Sequence, residues 1–186
     1  APVNEITQEC RVLYAGALTK EKGWKRVMDT MCEAAKKMPQ THFYLDVITK
    51  DDCLDMPTYD NLSVRKLDFM PFLQFCRQIV DYDIFLDLRD IDFENTRCLP
   101  IKLFYYMACG RPSIYANLSA ISKGVSEIHQ CAQLVNNVVE AANALCEYVC
   151  NRELYQSHCS NALHASINKY NWNHIKSSFI QLIHEV

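Results

Sequence analysis

The segment LPIKLFYYMACGRPSIYAN, residues 99–117, joins a short helical pattern to a short strand pattern. Apolar positions recur with helical spacing through Ala108, Gly110 supplies the residue type that commonly ends a helix, and an apolar run at 112–116 opens with proline. A helix that passes through a glycine into a strand is the repeating step of an α/β sheet. The segment therefore predicts an α/β fold, and it places two adjacent tyrosines in the middle of the helix.

Strand-like and helix-like runs alternate along the rest of the chain. Strand patterns occur at 11–18, 42–49, 62–69, 83–89, 112–116 and 132–135. A first helical pattern begins at Trp24 and ends before Pro39, and a second begins at Pro71 and continues to about Val80. Three more cover 139–151, 153–168 and 173–185. The residues after Ser119 have a loop pattern. The alternation predicts a Rossmann-like parallel sheet of about six strands, with helices on both faces and further helices at the C-terminus, in a single domain over 1–186.

Composition narrows the functional classes. Hydrophobic residues make up 49% and charged residues 22% of the chain, which is typical of a globular domain and not of a disordered one. The net charge of −3 gives no general attraction to nucleic acid, so we expect no nucleic-acid partner. No signal sequence and no run of 18 apolar residues is present, and we expect a cytoplasmic protein; contact of the amphipathic C-terminal helix with the inner face of a membrane stays open.

The ten cysteines are spread almost evenly through apolar runs, with no CxxC spacing. This distribution predicts free thiols in a reducing compartment rather than a disulfide framework. Cys146 and Cys150 lie four residues apart on a predicted helix, but no histidine lies at a suitable spacing to complete a metal site, so we expect no metal.

In an open α/β sheet, ligands bind beyond the carboxyl ends of the strands, so two loops are candidates for a binding site. In AGALTKEKG, Gly16 follows the first strand and Lys22 comes six residues later, an arrangement in which backbone amides and an ammonium can approach one phosphate. In FENTRCLP, the chain leads through Cys98 and Leu99 to Pro100, at or near the first position of the helix.

The second loop carries positive charge from Arg97 and, within the helix, from Lys102. Neither a GxGxxG fingerprint nor a GxxxxGK[ST] loop is present, so the dinucleotide-binding and P-loop classes lose support.

Several segments resemble one family, the group 1 glycosyltransferases of the GT-B fold. LYAGALTKEKGWKRVMDTM is similar to the opening of their C-terminal, nucleotide-sugar-binding half. PIKLFYYMACGRPSIYA resembles their Pro-x-Lys-Leu-x-Glu-Tyr-Met-Ala-x-Gly-x-Pro segment, DYDIFLDLR lies where they have the strand before it, and YNWNHI resembles the start of their final helix. The resemblance covers nearly the whole chain and implies one half of a GT-B fold, with the N-terminal acceptor domain absent from this chain.

The resemblance implies roles for particular residues, and it also shows where this sequence differs from the family pattern. Lys22 corresponds to the lysine that contacts and stabilises the donor diphosphate, and Gly16 to the glycine of the first loop. Ala17 stands where the family has an arginine, Tyr105 where it has the glutamate that accepts hydrogen bonds from the donor ribose, and Arg97 where many members have another acid. Lys102 or Arg97 would then replace the lost arginine.

The two tyrosines have different expected environments. Tyr106 matches the ordinary aromatic residue of the family motif, so we expect it in the core. Tyr105 faces either the crevice or a neighbouring helix, and it replaces a charge-assisted acceptor, worth about 1.5–3 kcal/mol, by a neutral one, worth about 0.5–1.5 kcal/mol. Ribose binding is expected to be weaker unless other contacts replace this one.

Two functional hypotheses follow. The first is the donor-binding half of a retaining glycosyltransferase that moves a sugar from a nucleotide diphosphate sugar to a glycan or lipid-linked acceptor, without a metal, and that is inactive without its N-terminal domain. The alternative is a catalytically silent GT-B-like module that acts in partner binding or assembly, as the residues at 17, 97 and 105 suggest. A flavodoxin-like or response-regulator fold is less consistent with the sequence, because no acidic cluster follows the first strand.

Overall fold

The computed structural model describes residues 8–52 and 59–184. Its strands are β1 (Glu9–Ala15), β2 (His42–Thr49), β3 (Leu62–Asp68), β4 (Ile84–Asp87), β5 (Ser113–Ala116) and β6 (Ala132–Val135). Its helices are α1 (Trp24–Lys37), α2 (Phe72–Gln78), α3 (Lys102–Ala108), α4 (Ser119–Gly124), α5 (Ile128–Cys131), α6 (Val138–Cys150), α7 (Arg152–Asn168) and α8 (Trp172–His184). Two short 3-10 turns cover Ile79–Asp81 and Asn95–Arg97.

The six strands form one parallel sheet in the order β3-β2-β1-β4-β5-β6. β1 lies at the centre, where Val12 is aligned with Leu45 of β2 on one side and with Ile84 of β4 on the other. Every residue of β4 and of β5 is buried, as expected for strands that are covered on both faces. The predicted parallel Rossmann-like sheet of six strands is confirmed.

Helices cover both faces of the sheet, as predicted. One apolar cluster packs Val27 and Met31 of α1, together with Leu145 of α6, against the sheet. On the opposite face, a second cluster joins α3, α4 and α5 to the sheet. The α7 helix contributes Cys159 to the first cluster and Ala162 to the second, so it packs at the boundary between the two layers.

Two strands, β1 and β4, end at least two residues earlier than the sequence pattern predicts. β1 ends at Ala15 and not at residue 18, because Leu18 N–H bonds to the Asp51 carboxylate and the chain turns away at Gly16. β4 ends at Asp87 and not at residue 89, because the Arg89 side chain folds back onto the Asp87 carboxylate. At both strand ends, polar contacts bend an apolar run out of the sheet.

The region after Ser119, predicted as loop, contains the short helices α4 and α5. Its buried Ile121, Val125 and Ile128 pack against the core, and this burial stabilises turns that the local sequence pattern did not indicate. Pro100, predicted at or near the first position of the helix, lies two residues before the first residue of α3. An irregular turn connects the two, in which Leu103 N–H bonds to the Pro100 carbonyl.

The nine described cysteines are free thiols, as predicted, and Cys53 lies outside the described residues. Glu185, the predicted end of the last helix, also lies outside them. Within 8–52 and 59–184, no helix combines the length and the apolarity needed to span a lipid bilayer.

Candidate functional site

The two loops singled out from the sequence lie against each other at the carboxyl edge of the sheet. Glu21, in the loop between β1 and α1, accepts hydrogen bonds at its carbonyl from the Asp90 N–H at 3.1 Å and from Asn95 Nδ2 at 3.2 Å. Both donors belong to the loop between β4 and α3. The parallel pairing of β1 with β4 explains this contact, because the carboxyl ends of adjacent parallel strands meet at one edge.

Gly23 makes this contact between the loops close. Its φ is 78°, in the left-handed region that favours glycine, and a Cβ at this position would lie 2.0 Å from the Leu88 carbonyl oxygen. A side chain here would therefore need both a strained backbone and a displaced β4 loop. The glycine allows Lys22, the residue before it, to approach the end of β4.

Tyr14, near the end of β1, holds the loop between β1 and α1 by hydrogen bonds. Its hydroxyl donates to the Ala17 carbonyl at 2.6 Å and lies 3.3 Å from the Lys22 carbonyl. A Cβ at Gly16 would lie 3.0 Å from the same hydroxyl, so a larger residue here would press against the Tyr14 side chain. Sequence reasoning missed Tyr14; the signal was a residue with a polar tip at the end of an apolar strand.

Three charged side chains lie beneath the loops. Arg89 makes a bidentate pair with Asp87, with nitrogen–oxygen distances of 2.8 and 2.7 Å, and both side chains are buried. Lys102 Nζ lies 3.8 Å from the same carboxylate and donates to the Ala15 carbonyl. One carboxylate therefore faces two cations, which leaves the floor of the crevice with a formal charge of about +1.

Burial lowers the pKa of Lys102, and the nearby positive charges of Arg89 and Lys22 lower it further, while Asp87 acts in the opposite direction. Lys22 thus lies within electrostatic reach of Lys102, although the two come from different loops. A bound anion would favour the charged form of Lys102. The arrangement is suited to holding a phosphate group.

Arg26 ties the loops after two strands together, and sequence reasoning missed it. Its guanidinium donates to the Arg89 carbonyl at 3.1 Å and to the Asn136 carbonyl, just after β6, at 2.8 Å. It also lies 3.8 Å from the Asp90 carboxylate. The only sequence signal was its place in the lysine- and arginine-rich stretch TKEKGWKR, residues 19–26.

The residues just before α3 lie mostly at the surface of the protein. Arg97 is exposed and its guanidinium carbon lies 3.3 Å from the centroid of the Phe93 ring. Cys98 and Leu99 are exposed, while Pro100 is buried. The structure therefore places the predicted positive charge of Arg97 in an aromatic contact on the loop surface.

The two tyrosines of α3 lie in different environments. Tyr106 is fully buried and stacks on Phe85, with ring centroids 4.0 Å apart, which confirms the predicted core position. The half-buried Tyr105 packs on Phe72 of α2, with ring centroids 5.0 Å apart. Tyr105 was expected to face either the crevice or a neighbouring helix, and in the structure it packs on a neighbouring helix.

A cavity of 540 Å³ opens at this edge, between the ends of β1, β2 and β3 and the start of α2. Of the predicted site residues, Gly16, Ala17 and Lys102 line it, whereas Lys22, Arg97, Cys98, Leu99, Pro100 and Tyr105 do not. The remaining walls are mainly apolar and include the aromatic rings of Phe69, Phe72 and Phe75. Within the described part of the chain, no group of three or more His, Cys, Asp or Glu side chains has the arrangement of a metal site.

Known proteins match the chain by structure and not by sequence. No family model and no curated protein matches the sequence. Anabaena HepE, solved in complex with UDP-glucose, superposes with a TM-score of 0.72 at 15% identity over 97% of this chain and 50% of its own. The pneumococcal O-GlcNAc transferase GtfA, in complex with UDP and GlcNAc, gives 0.71 at 14% identity over 98% of this chain and 38% of its own.

The C-terminal domain of the group 1 glycosyl transferase LpcC from Francisella tularensis gives a TM-score of 0.64 at 14% identity, over 88% of this chain and 86% of that domain. The chain spans half or less of HepE and GtfA but most of this isolated domain. The chain therefore has the fold of the C-terminal half of the group 1 GT-B glycosyltransferases.

Proposed function

We propose that this chain is the donor-binding half of a retaining glycosyltransferase, which moves a sugar from a nucleotide diphosphate sugar to a glycan or lipid-linked acceptor. The observation that carries the proposal is the positively charged floor under the Gly16 turn, made by Lys102 and Arg89 around Asp87. It lies at the carboxyl edge of a sheet whose structural neighbours HepE and GtfA were solved with UDP-glucose and with UDP.

Each part of the site has a role in this scheme. The turn amides of Gly16 and Ala17, with the Lys22 ammonium, bind the diphosphate and stabilise the negative charge that grows on it as the sugar departs. Lys102 and Arg89 raise the electrostatic potential from below without leaving their protein partners. The nucleoside occupies the apolar cavity against Phe72. The scheme uses no metal, and an N-terminal domain supplies the acceptor site.

The second candidate function is a catalytically silent GT-B-like module for partner binding or assembly. It is favoured by Tyr105 and Arg97, whose side chains pack on Phe72 and Phe93 and do not line the cavity. In this alternative the crevice keeps its shape without binding a donor.

A titration with nucleoside diphosphates separates the two functions. UDP, GDP and ADP are added to the isotope-labelled protein, and we expect one of them to shift the amide signals of Gly16 and Lys22. Lys22→Ala should weaken that binding about tenfold or more, because a charge-assisted contact is lost. Lys20→Ala removes a cation from the same loop and should leave the affinity unchanged. If none of the three nucleotides binds at millimolar concentration, the silent-module alternative is correct.

A further inference from the structure

A second cavity, of 550 Å³, lies at the opposite end of the same strands. It is bounded by the amino halves of β1, β2 and β3 and by the turn after α2, and we call it the amino-end groove. Arg11, Asp46, Arg65, Asp81 and Tyr82 are among its lining residues. The groove exists because α2 has only seven residues and leaves this part of the sheet face uncovered.

Apolar side chains separate the amino-end groove from the crevice. Leu13 and Ile48 are buried in the apolar cluster on this face of the sheet, beyond the polar residues of β1 and β2. Along β2, polar Tyr44 and Asp46 are therefore followed by apolar Ile48 on the same face, since every second residue of a strand points the same way. The polar half of this face is a distinct surface with its own chemistry.

Part of the groove is a fixed polar frame. Arg65 holds the Asp46 carboxylate in a bidentate pair, with nitrogen–oxygen distances of 2.9 and 2.6 Å, and the Tyr82 hydroxyl donates to it at 2.7 Å. The Asp46 side chain is 9% exposed, whereas that of Arg65 is 68% exposed. The guanidinium is thus anchored on one side and open to the groove on the other.

Other groups around this frame retain hydrogen-bonding capacity. The Arg11 guanidinium and the Asp81 carboxylate have no side-chain hydrogen bond to any residue within 8–52 and 59–184, and both residues are exposed. The Glu9 carboxylate accepts from the Tyr44 hydroxyl at 3.3 Å, and the Tyr44 ring lies 4.5 Å from the His42 ring, so an aromatic surface borders the groove. Donors, acceptors and an aromatic edge are therefore presented together.

The charges of the groove identify the class of ligand. Three carboxylates, from Glu9, Asp46 and Asp81, face the guanidinium groups of Arg11 and Arg65, so the surface attracts neither a polyanion nor a polycation strongly. An apolar partner would leave these polar groups without water or hydrogen bonds. A neutral ligand with many hydroxyl groups satisfies donors and acceptors at once.

We propose that the amino-end groove binds a neutral glycan. Neighbouring strands lie about 4.8 Å apart, so three strands present their side chains over about 10 Å, the length of a disaccharide. The exposed guanidinium of Arg65 donates to sugar hydroxyls, Arg11 donates and Asp81 accepts from the groove walls, and Tyr44 packs on the apolar face of a sugar ring. This inference goes beyond the proposed function and does not depend on donor binding in the crevice.

A titration with neutral disaccharides tests the proposal. Cellobiose, maltose and diacetylchitobiose are added separately to the isotope-labelled protein up to tens of millimolar. We expect at least one of them to shift the amide signals of Tyr44, Asp46 and Arg65. Arg11→Ala and Arg65→Ala should each weaken that binding about tenfold, because each removes a charged hydrogen-bond donor. The Arg11 guanidinium makes no hydrogen bond to a side chain of the described residues, so Arg11→Ala leaves the contacts among Asp46, Arg65 and Tyr82 intact.

Lys66→Ala is the matched control, because Lys66 follows Arg65 on β3 and points to the other face, where it pairs with Asp52 at 3.4 Å. It should leave disaccharide binding unchanged, and UDP binding should be the same in all three variants. The proposal is wrong if none of the disaccharides binds, if the shifts occur only around Gly16 and Lys102, or if Arg11→Ala and Arg65→Ala bind like the unaltered protein.

Discussion

Gly23 and Tyr14 hold the first loop from opposite sides. The backbone of Gly23 packs on the Leu88 carbonyl, and the Tyr14 hydroxyl bonds to the Ala17 carbonyl. The loop therefore has a defined path before any ligand binds, which reduces the entropy that binding must remove. Gly23 and Tyr14 can therefore favour ligand binding by fixing the loop, without contacting the ligand themselves.

Gly23→Ala tests this packing. We expect it to lower the free energy of unfolding by at least about 2 kcal/mol, since a left-handed backbone conformation and a clash with the Leu88 carbonyl are both imposed. Urea unfolding measures the change. Gly124→Ala is the control: its Cβ would meet only the flexible end of the Leu99 side chain, at 3.1 Å, and the expected change is within about 0.5 kcal/mol. Equal effects of the two variants would contradict the assignment.

Lys102 should couple diphosphate binding to protons. Burial, with the charges of Arg89 and Lys22, lowers its pKa, so a fraction of the side chain is neutral at alkaline pH. A bound diphosphate favours the ammonium and raises the pKa again, so binding takes up protons and weakens as the pH rises through this range.

Calorimetry of UDP binding at alkaline pH, in two buffers of different ionisation enthalpy, measures this uptake. We expect the heat to depend on the buffer for the unaltered protein, and to depend on it much less for Lys102→Met. Buffer-independent heats for the unaltered protein would show that Lys102 does not change its protonation on binding.

Some residues of the candidate site could be predicted from the sequence and others could not, for a physical reason. Gly16 and Lys102 line the cavity, and each lies in a local pattern of a loop or a helix start; the role of Lys22 stays a prediction. Tyr14 and Arg26 were missed, since their roles depend on which strand ends are neighbours. Arg26 bonds to Asn136, 110 residues away, a contact that no local pattern contains.

Among the elements, α6 and α7 are joined by a buried polar contact. The Tyr148 hydroxyl and His158 Nδ1 lie 2.8 Å apart in a hydrogen bond, and both side chains are buried. Burial lowers the pKa of His158 below its ordinary value of 6.5, while the charge of Glu147 opposes the shift. A group of this kind makes the packing of the two helices sensitive to acid.

The expected effect is a loss of stability as the pH falls below 6.5, because the unfolded chain binds a proton there that the folded chain resists. Unfolding by urea at several pH values between about 5 and 7 measures the slope. His158→Gln should flatten that slope, while His129→Gln, at an exposed position, should leave it unchanged. An unaltered slope in His158→Gln would assign the acid sensitivity to other groups.

Prediction of the elements succeeded for the strands and for the long helices, and failed for the short helices. The residues of β2 and β6 were predicted without error at 42–49 and 132–135, and α7 differs from its prediction by one residue. The helices α4 and α5 were not predicted, because six and four residues are too few to give a periodic signal. Tertiary burial, and not local propensity, stabilises such short helices.

At the scale of the molecule, α8 has exposed apolar side chains. Ile175, Ile180 and Ile183 are all exposed, and their spacing places them on one side of the helix. An exposed apolar face of this kind favours association. We expect the 186-residue chain to self-associate as its concentration rises.

Sedimentation velocity over a range of concentrations measures this association. Replacing Ile180 and Ile183 by lysine should shift the protein towards the monomer, because the apolar face is interrupted. Gln181→Lys is the control: it adds a charge at an exposed position on the opposite side of the same helix, and it should not change the distribution. A protein that stays monomeric at all concentrations would contradict the expectation.

The overall fold was predictable from two kinds of sequence information. Alternating strand and helix patterns predicted a parallel sheet, and the family resemblance of 100–116 predicted half of a GT-B fold. The alternation alone did not give the strand order, because it is set by pairing between distant segments. The Arg11 N–H bond to Asp83, 72 residues away, is one such pairing at the centre of the sheet.

The strand order also has a consequence for biosynthesis. β1, β2 and β3 are made before β4 and pair with one another, so the segment from β1 to β3 can assemble its part of the sheet while the ribosome is still making β4, β5 and β6. The backbone edge of β1 that pairs with β4 stays unpaired until β4 has been made. During that interval it is an unpaired central edge that a chaperone could shield from aggregation.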